Sequence, residues 1–196
     1  MAESEKYTHG HHASVLAAHR WRTIANSAHY LEPHLLPGRS LLDVGCGPGT
    51  ITAEFAERLA PGRVVGVDAA PDALAAAAEL DSTAEFVRGD AYALEFDDDT
   101  YDIVHTHQTL QHVHDPVAML REMARVARGG GRVAAREVDY SATTWFPLLP
   151  ELELWLDLVR RVHRANGGEP DAGRHLTSWA LDAGLSAPQF MASAWA

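Results

Sequence analysis

Short runs of β-branched and apolar residues alternate along this chain with stretches rich in Ala, Leu and Glu. Apolar positions recurring at helical spacing mark one face of a helix, and compact apolar runs bounded by Gly, Pro or Asp mark buried strands. The first strand falls on 40–44, turns through a run of glycines, and leads into a helix over 50–59 that stops before Pro61-Gly62,. A second strand over 63–68 leads into an Ala-rich helix opened by Pro71, a residue suited to a first helical position,. Strands follow at 85–88 and 101–105. A helix then runs from Asp115-Pro116 to about residue 127, with Arg121, Arg125 and Arg128 toward its C-terminal end, where cations suit the helix dipole,. Gly129-Gly130-Gly131 ends it, and a fifth strand spans 132–138. Two further helices, 151–165 and 173–183, precede a last apolar segment, 189–195, that reads as a sixth strand. Strand and helix in alternation predict an α/β fold, a doubly wound and mostly parallel sheet with helices on both faces. Ahead of it, a polar opening to Gly10 and a helical pattern over 13–36 read as a lid and helix, dividing the chain into 1–38 and a main domain of 39–196,.

A length of 196 residues suits one main core, and 46% hydrophobic with 22% charged residues is the composition of an ordinary globular protein,. The net charge of −11, with no offsetting Lys/Arg stripe, opposes the counterion release that drives binding to a phosphate backbone, so nucleic acid is not an expected partner,. A lone cysteine makes no internal disulfide, the opening MAESEKYTHG lacks the layout of a secretory signal, and no apolar run reaches membrane-spanning length,. The expectation is a cytoplasmic protein without a membrane span.

The chemistry concentrates in Asp43-Val44-Gly45-Cys46-Gly47-Pro48-Gly49-Thr50, a strand-to-helix turn whose glycines permit positive φ and let a ligand approach bare backbone,. The spacing is G-x-G-x-G with an acidic residue before it, whereas a dinucleotide fingerprint reads G-x-G-x-x-G,. A pyrophosphate asks for helix N-terminal N–H groups; a cationic nucleoside carrying an amino acid also gains from a carboxylate beside the turn, which Asp43 supplies directly or by ordering the turn. Asp68, with Ala69 after it, ends the second strand where a carboxylate reaches ribose hydroxyls, and could equally cap the helix opened by Pro71,. Gly89-Asp90-Ala91 ends the third, where it could pair with an adenine edge or form an ordinary turn,. Cys46 reads as a small residue of the turn facing the first helix.

The runs LLDVGCGPGT, VVGVD, FVRGDAYALEFDDDTYDIVHTHQTLQHVHD and LREMARVARGGGRV, in this order, resemble the successive motifs of class I S-adenosylmethionine-dependent methyltransferases. The resemblance is nearest the ubiquinone/menaquinone-biosynthesis-like small-molecule group and covers about 41–138. It implies a Rossmann-like fold, S-adenosylmethionine as cofactor and a small-molecule acceptor methylated at oxygen, carbon or nitrogen. By the same resemblance Asp43, Gly45, Cys46, Gly47 and Gly49 surround the methionine part, Asp68 and Ala69 the ribose, and Asp90 and Ala91 the adenine. Thr106 and Gln108, with His107 between them, would floor the sulfonium. The Asn/Asp-Pro-Pro-aromatic signature of nucleobase-amino methylation is absent where His105-Thr106-His107-Gln108 stands. The family pattern has seven strands, the last antiparallel, and this chain supplies six. A C-terminally shortened sheet lacking the seventh strand, with an open edge that invites self-association, is therefore expected.

Histidines cluster at His9, His11 and His12 and again at His105, His107, His112 and His114, but without the paired spacing of a zinc site, so no metal is expected,. His107 or His112 could remove a proton from the acceptor near neutral pH, or serve as packing residues. Tyr7, His11 and His12 would join the lid, and Arg22 could reach the cofactor carboxylate. Trp145, Phe146, Trp155 and Trp179 could cover an acceptor or pack the core,. The alternatives carried forward are an NAD-dependent oxidoreductase and a non-catalytic S-adenosylmethionine-binding protein.

Overall fold

The computed structural model describes residues 21–194. Its five strands are β1 (Leu41–Val44), β2 (Val64–Asp68), β3 (Glu85–Arg88), β4 (Tyr101–His107) and β5 (Ala127–Arg136). The helices between and after them are α1 (Thr50–Leu59), α2 (Pro71–Ala78), α3 (Pro116–Val126), α4 (Pro150–Ala165) and α5 (Leu176–Asp182). Every pairing is parallel and the strand order is β3-β2-β1-β4-β5. The chain steps outward from β1 to β3, then crosses back to lay β4 beside β1. The loops leaving the carboxyl ends of β1 and β4 therefore diverge, which opens the crevice where such sheets bind ligands.

Side-chain alternation along the strands builds two cores. On one face Leu41 and Ile103 pack with Phe55 and Leu59 of α1 and with Ala28, Leu31 and Leu35 from ahead of β1. On the other, Leu42, Val44, Val67 and Val104 meet Met119, Leu120, Met123 and Val126 of α3. Local signals fix where these helices start. Pro71 and Pro116 each occupy a first-turn position, and the Asp115 carboxylate caps α3 by accepting from Ala118 N at 2.8 Å,.

Four expectations need correction. The single helix over 13–36 is, in its described part, a π turn (Ile24–Ala28) followed by a 3-10 turn (His29–His34). Ala28 leaves helical geometry between them, and Pro33, which has no N–H, prevents an α-helix from continuing,. The fifth strand starts earlier and ends sooner than 132–138: it bridges Tyr101 at Ala127, bulges through the glycines and rejoins at Arg132 opposite Ile103. The helix placed at 173–183 is a 3-10 turn (Ala172–His175) running into α5. The segment 189–194 is not a strand; Phe190 and Met191 are exposed and Ser193 Oγ meets Arg136 at 3.1 Å. Among the described residues the segment makes no ladder pairing with the outer edge of β5, which it meets through that side-chain bond. Tyr7, His9, His11, His12 and Trp195 lie outside the described residues.

Candidate active site

All three glycines of the turn after β1 take left-handed backbone, with φ of 75° at Gly45, 56° at Gly47 and 75° at Gly49,. Neighbours use the space left by the missing side chains. A Cβ on Gly45 would collide with the Thr109 hydroxyl, and one on Gly49 would lie 2.6 Å from the Phe86 ring. The turn is braced against β2, since Gly45 N and Cys46 N both donate to the Val67 carbonyl, at 2.8 and 3.0 Å.

Asp68 completes that brace. One of its oxygens accepts from Gly47 N at 2.8 Å and the other from Ala70 N at 2.9 Å. Each carboxylate oxygen has two acceptor positions, so this arrangement leaves one on each for a ligand. Ala70, not Asp68, is the N-cap of α2, and Ala69 is exposed beside it. Cys46 Sγ lies 2.9 Å from where a Cβ on Gly66 of β2 would stand, in room that only glycine leaves. Burial, reinforced by the Asp43 and Asp68 carboxylates, pushes its thiol up, so it is no nucleophile at neutral pH,.

Asp43 points into the α1 face and is 3% exposed. It accepts from His105 Nδ1 at 2.8 Å and from Thr52 Oγ1 at 2.6 Å, joining β1, β4 and α1. As the carboxylate only accepts, His105 carries its proton on Nδ1. Thr52 lies in the first turn of α1, so these bonds tie the strand before the glycine turn to the helix after it.

At the end of β3, Asp90 is exposed and accepts from Tyr92 N at 2.9 Å, with half-buried Ala91 between them. Tyr92 Oη lies 3.1 Å from His114 Nδ1 and accepts from Asp115 N, tying this loop to the start of α3.

Beyond β1 and across the crevice stands the end of β4. Thr106 is buried on the α3 face, and its hydroxyl donates to the Val44 carbonyl at 2.8 Å. His107 is buried on the opposite side, its ring parallel to that of His105 at 6.5 Å. Gln108 is the residue that turns the chain: φ is 54°, its N–H donates to the Arg136 carbonyl at 2.8 Å, and its Oε1 accepts from Arg22 at 2.6 Å. A non-glycine residue in this region is held there by its surroundings. The structure thus brings Arg22 to the β4 exit. His112 is also buried and stacks on His163 at 5.0 Å, which in turn lies against Tyr140. Neither His107 nor His112 stands on an outer helix face.

Two residues at this exit escaped sequence reasoning. Glu137, one residue past β5, accepts from Thr109 N at 2.8 Å and Leu110 N at 2.7 Å, while its Oε2 is buried with no partner among the described residues. Tyr30 Oη is likewise buried without a partner there, and burial holds its phenol well above the usual range. An acidic residue at the carboxyl end of a strand in this fold was the available signal for Glu137.

Of the four aromatics, Trp179 packs against the α3-face core, whereas Phe146 and Trp155 are exposed. A hollow of about 310 Å³ lies between His114, Gly168, Glu169, His175 and Trp179, away from the glycine turn. Among the described residues no group of His, Cys, Asp or Glu is arranged to hold a metal ion, and no helix is long and apolar enough to cross a membrane.

Comparison with known proteins agrees with this arrangement. Residues 42–135 match the model of a methyltransferase domain. An uncharacterized methyltransferase of Schizosaccharomyces pombe is 36% identical over 96% of this chain and 71% of its own length. A demethylmenaquinone methyltransferase of Mycolicibacterium paratuberculosis is 34% identical over 90% of this chain and 74% of its own. Across its curated relatives the chain spans about half to three quarters of their length. In fold it is similar to the crystal structure of a putative methyltransferase from Bacillus halodurans, with a TM-score of 0.63 and 21% identity, covering 82% of this chain and 68% of that one. With the motifs in order, the parallel sheet and relatives of this identity and coverage, the chain belongs to the class I S-adenosylmethionine-dependent methyltransferases.

Proposed function

We propose that the protein moves the methyl group of S-adenosylmethionine to an oxygen, carbon or nitrogen of a small-molecule acceptor. The observation that carries this is the brace of Asp68 on Gly47 N, which sets a left-handed glycine turn and a ribose-competent carboxylate side by side at the crevice. The residues fit the cofactor. Gly45, Cys46, Gly47 and Gly49 would hold its methionine part with Asp43 ordering the turn beneath. Asp68 and Ala69 would take the ribose, and Asp90 and Ala91 the adenine. Gln108 and Arg22 would meet the amino-acid end, with Thr106 fixing the strand below. When bound, the cofactor supplies an electrophilic methyl on a good leaving group, so the chain's own residues mainly position the acceptor and exclude water.

His107 and His112 are proposed as acceptor-side residues; their buried ring stacks at the β4 exit support that placement, and packing is the role such stacks serve on their own. Family membership removes the ground for a nicotinamide-dependent oxidoreductase. Turnover decides against a non-catalytic binder: with methyl-labelled S-adenosylmethionine, label should pass to at least one member of an acceptor library. Relatives named demethylmenaquinone methyltransferase make demethylmenaquinone the first to try. No transfer to any member, with the cofactor bound, would count for a binding protein. Self-association is a proposal of the same kind, supported by the unpaired outer edge of β5 among the described residues. Sedimentation at rising concentration reads it, and a single monomeric species throughout would reject it.

A further inference from the structure

The β4 exit holds a carboxyl that no role above uses. Glu137 Oε1 accepts from both Thr109 N and Leu110 N. The Thr109 side chain fills the space over Gly45, so Glu137 is one residue removed from the glycine turn. With Thr109 N and Leu110 N on Oε1 and the Gln111 N–H also turned to the carboxyl, a proton on it sits on Oε2, which is buried and has no hydrogen bond among the described residues,. Charged and titratable groups face it from each neighbouring element. Arg22 and Tyr30 come from ahead of β1, Arg136 from the end of β5 and Tyr140 from the turn beyond it. His107 closes β4, and His112 ends the short turn that Glu137 caps. Burial outweighs the backbone N–H bonds and Arg22, and the carboxyl is pushed up to about 8. Glu137 is therefore mostly neutral at pH 7 in the free protein. An opposite charge brought near a carboxyl favours its ionised form, typically lowering its pKa by about 1–3.

We propose that Glu137 is the group that takes the proton of the methyl acceptor, and that occupation of the glycine turn by the cationic cofactor readies it to do so. This rests on the methyltransferase reading above. Glu137 releases its proton to solvent when a sulfonium cation is seated on the turn. In the transfer, the acceptor's electron pair forms the bond to the methyl carbon while the carbon–sulfur bond breaks with its pair going to sulfur. The acceptor's proton passes to Glu137 Oε2. Positive charge leaves the turn in the same event, and Glu137 is neutral again, as it was at the start.

The test needs no acceptor. Calorimetric titration at pH 7 in two buffers of different ionisation enthalpy counts the protons released on binding. S-adenosylmethionine and S-adenosylhomocysteine share the amino-acid part, so their difference isolates the sulfonium. The expected result is release of roughly 0.4–0.9 proton with S-adenosylmethionine and far less with S-adenosylhomocysteine. Glu137→Gln should abolish that difference while binding both ligands within about tenfold of the wild type. Equal release by the two ligands in the wild type, or an undiminished difference in the variant, overturns the proposal. If the variant fails to fold, the wild-type difference decides, together with loss of a protonated-carboxyl infrared band when S-adenosylmethionine is added. Failure of either ligand to bind at all would instead strike the methyltransferase reading, so the two failures are distinguishable. With an acceptor in hand, the variant's kcat should fall by about 10²–10⁴-fold with little change in KM for the cofactor, and a full kcat would also overturn the assignment.

Discussion

All four residues of β1 are buried, whereas α4 buries only His163 and leaves Leu154, Trp155, Leu158 and Val162 about half exposed. Strands β1, β2 and β4 are held by apolar packing on both faces, with the Asp43–His105–Thr52 bonds inside the sheet. Beyond β5, α5 still packs Leu176 and Trp179 on the α3-face core, whereas α4 and the turn after it are held mainly by charge. Asp171 accepts from Arg160 at 2.6 Å and Arg164 at 2.8 Å, and Arg174 pairs with Asp139 at 2.9 Å and bonds Ser141. The contrast teaches a division of labour. The cofactor half is over-determined, so its backbone can keep a left-handed turn and a strained Gln108 in place. Beyond β5, α4 is fixed by a few polar contacts and leaves most of its apolar side chains exposed.

The largest effect should come from emptying the cofactor-half core. Phe55, fully buried against His105, should cost about 3–5 kcal/mol in chemical unfolding when changed to Ala,. A loss below about 1 kcal/mol would erase the contrast. Next, Asp68→Ala should weaken S-adenosylhomocysteine binding by about ten- to hundredfold, roughly 1.5–3 kcal/mol for hydrogen bonds to a charged group, while the fold survives. Unchanged affinity with a collapsed fold would make Asp68 only a brace.

Glu137 sharpens the comparison through pH. Its folded pKa of about 8 lies above the 4.5 of an unperturbed glutamate. Between those values the folded state holds a proton that the unfolded state lacks. Stability from this group is therefore full below about pH 4.5 and is lost as pH rises toward 8, by at most about 1.4 kcal/mol for each pH unit,. Glu137→Gln should flatten that slope and leave the variant more stable than the wild type at pH 8; parallel melting curves from pH 5 to 8 would contradict it. The smallest effect belongs to the exposed stripe, where Leu158→Ala should change stability by less than about 0.5 kcal/mol,. A loss several times larger would show that α4 is packed after all.

The elements of the cofactor half were legible because their signals are local. Pro71 and Pro116 mark helix starts by their fixed φ and Gly49 by the positive φ it allows just before α1, and short β-branched runs mark strands buried on both faces,. What stayed illegible depends on distant partners. Glu137 reads as a surface acid until the fold brings its carboxyl to backbone N–H groups 27 residues earlier in the chain. Asp43 reads as a carboxylate beside the turn, and only the fold sets His105, 62 residues later, against it. The segment 189–194 has a strand's apolar character but makes no ladder pairing among the described residues, and the helical pattern over 13–36 hid the break that Pro33 makes.

The central claim is that the glycine turn, Asp68 and the β4 exit form an S-adenosylmethionine site rather than a dinucleotide site. Thermal unfolding with each ligand at saturating concentration tests it most directly. S-adenosylmethionine and S-adenosylhomocysteine should each raise the Tm, by an amount that grows with ligand concentration, and NAD should leave it unchanged. Stabilisation by NAD alone, or equally by all three, would contradict the account.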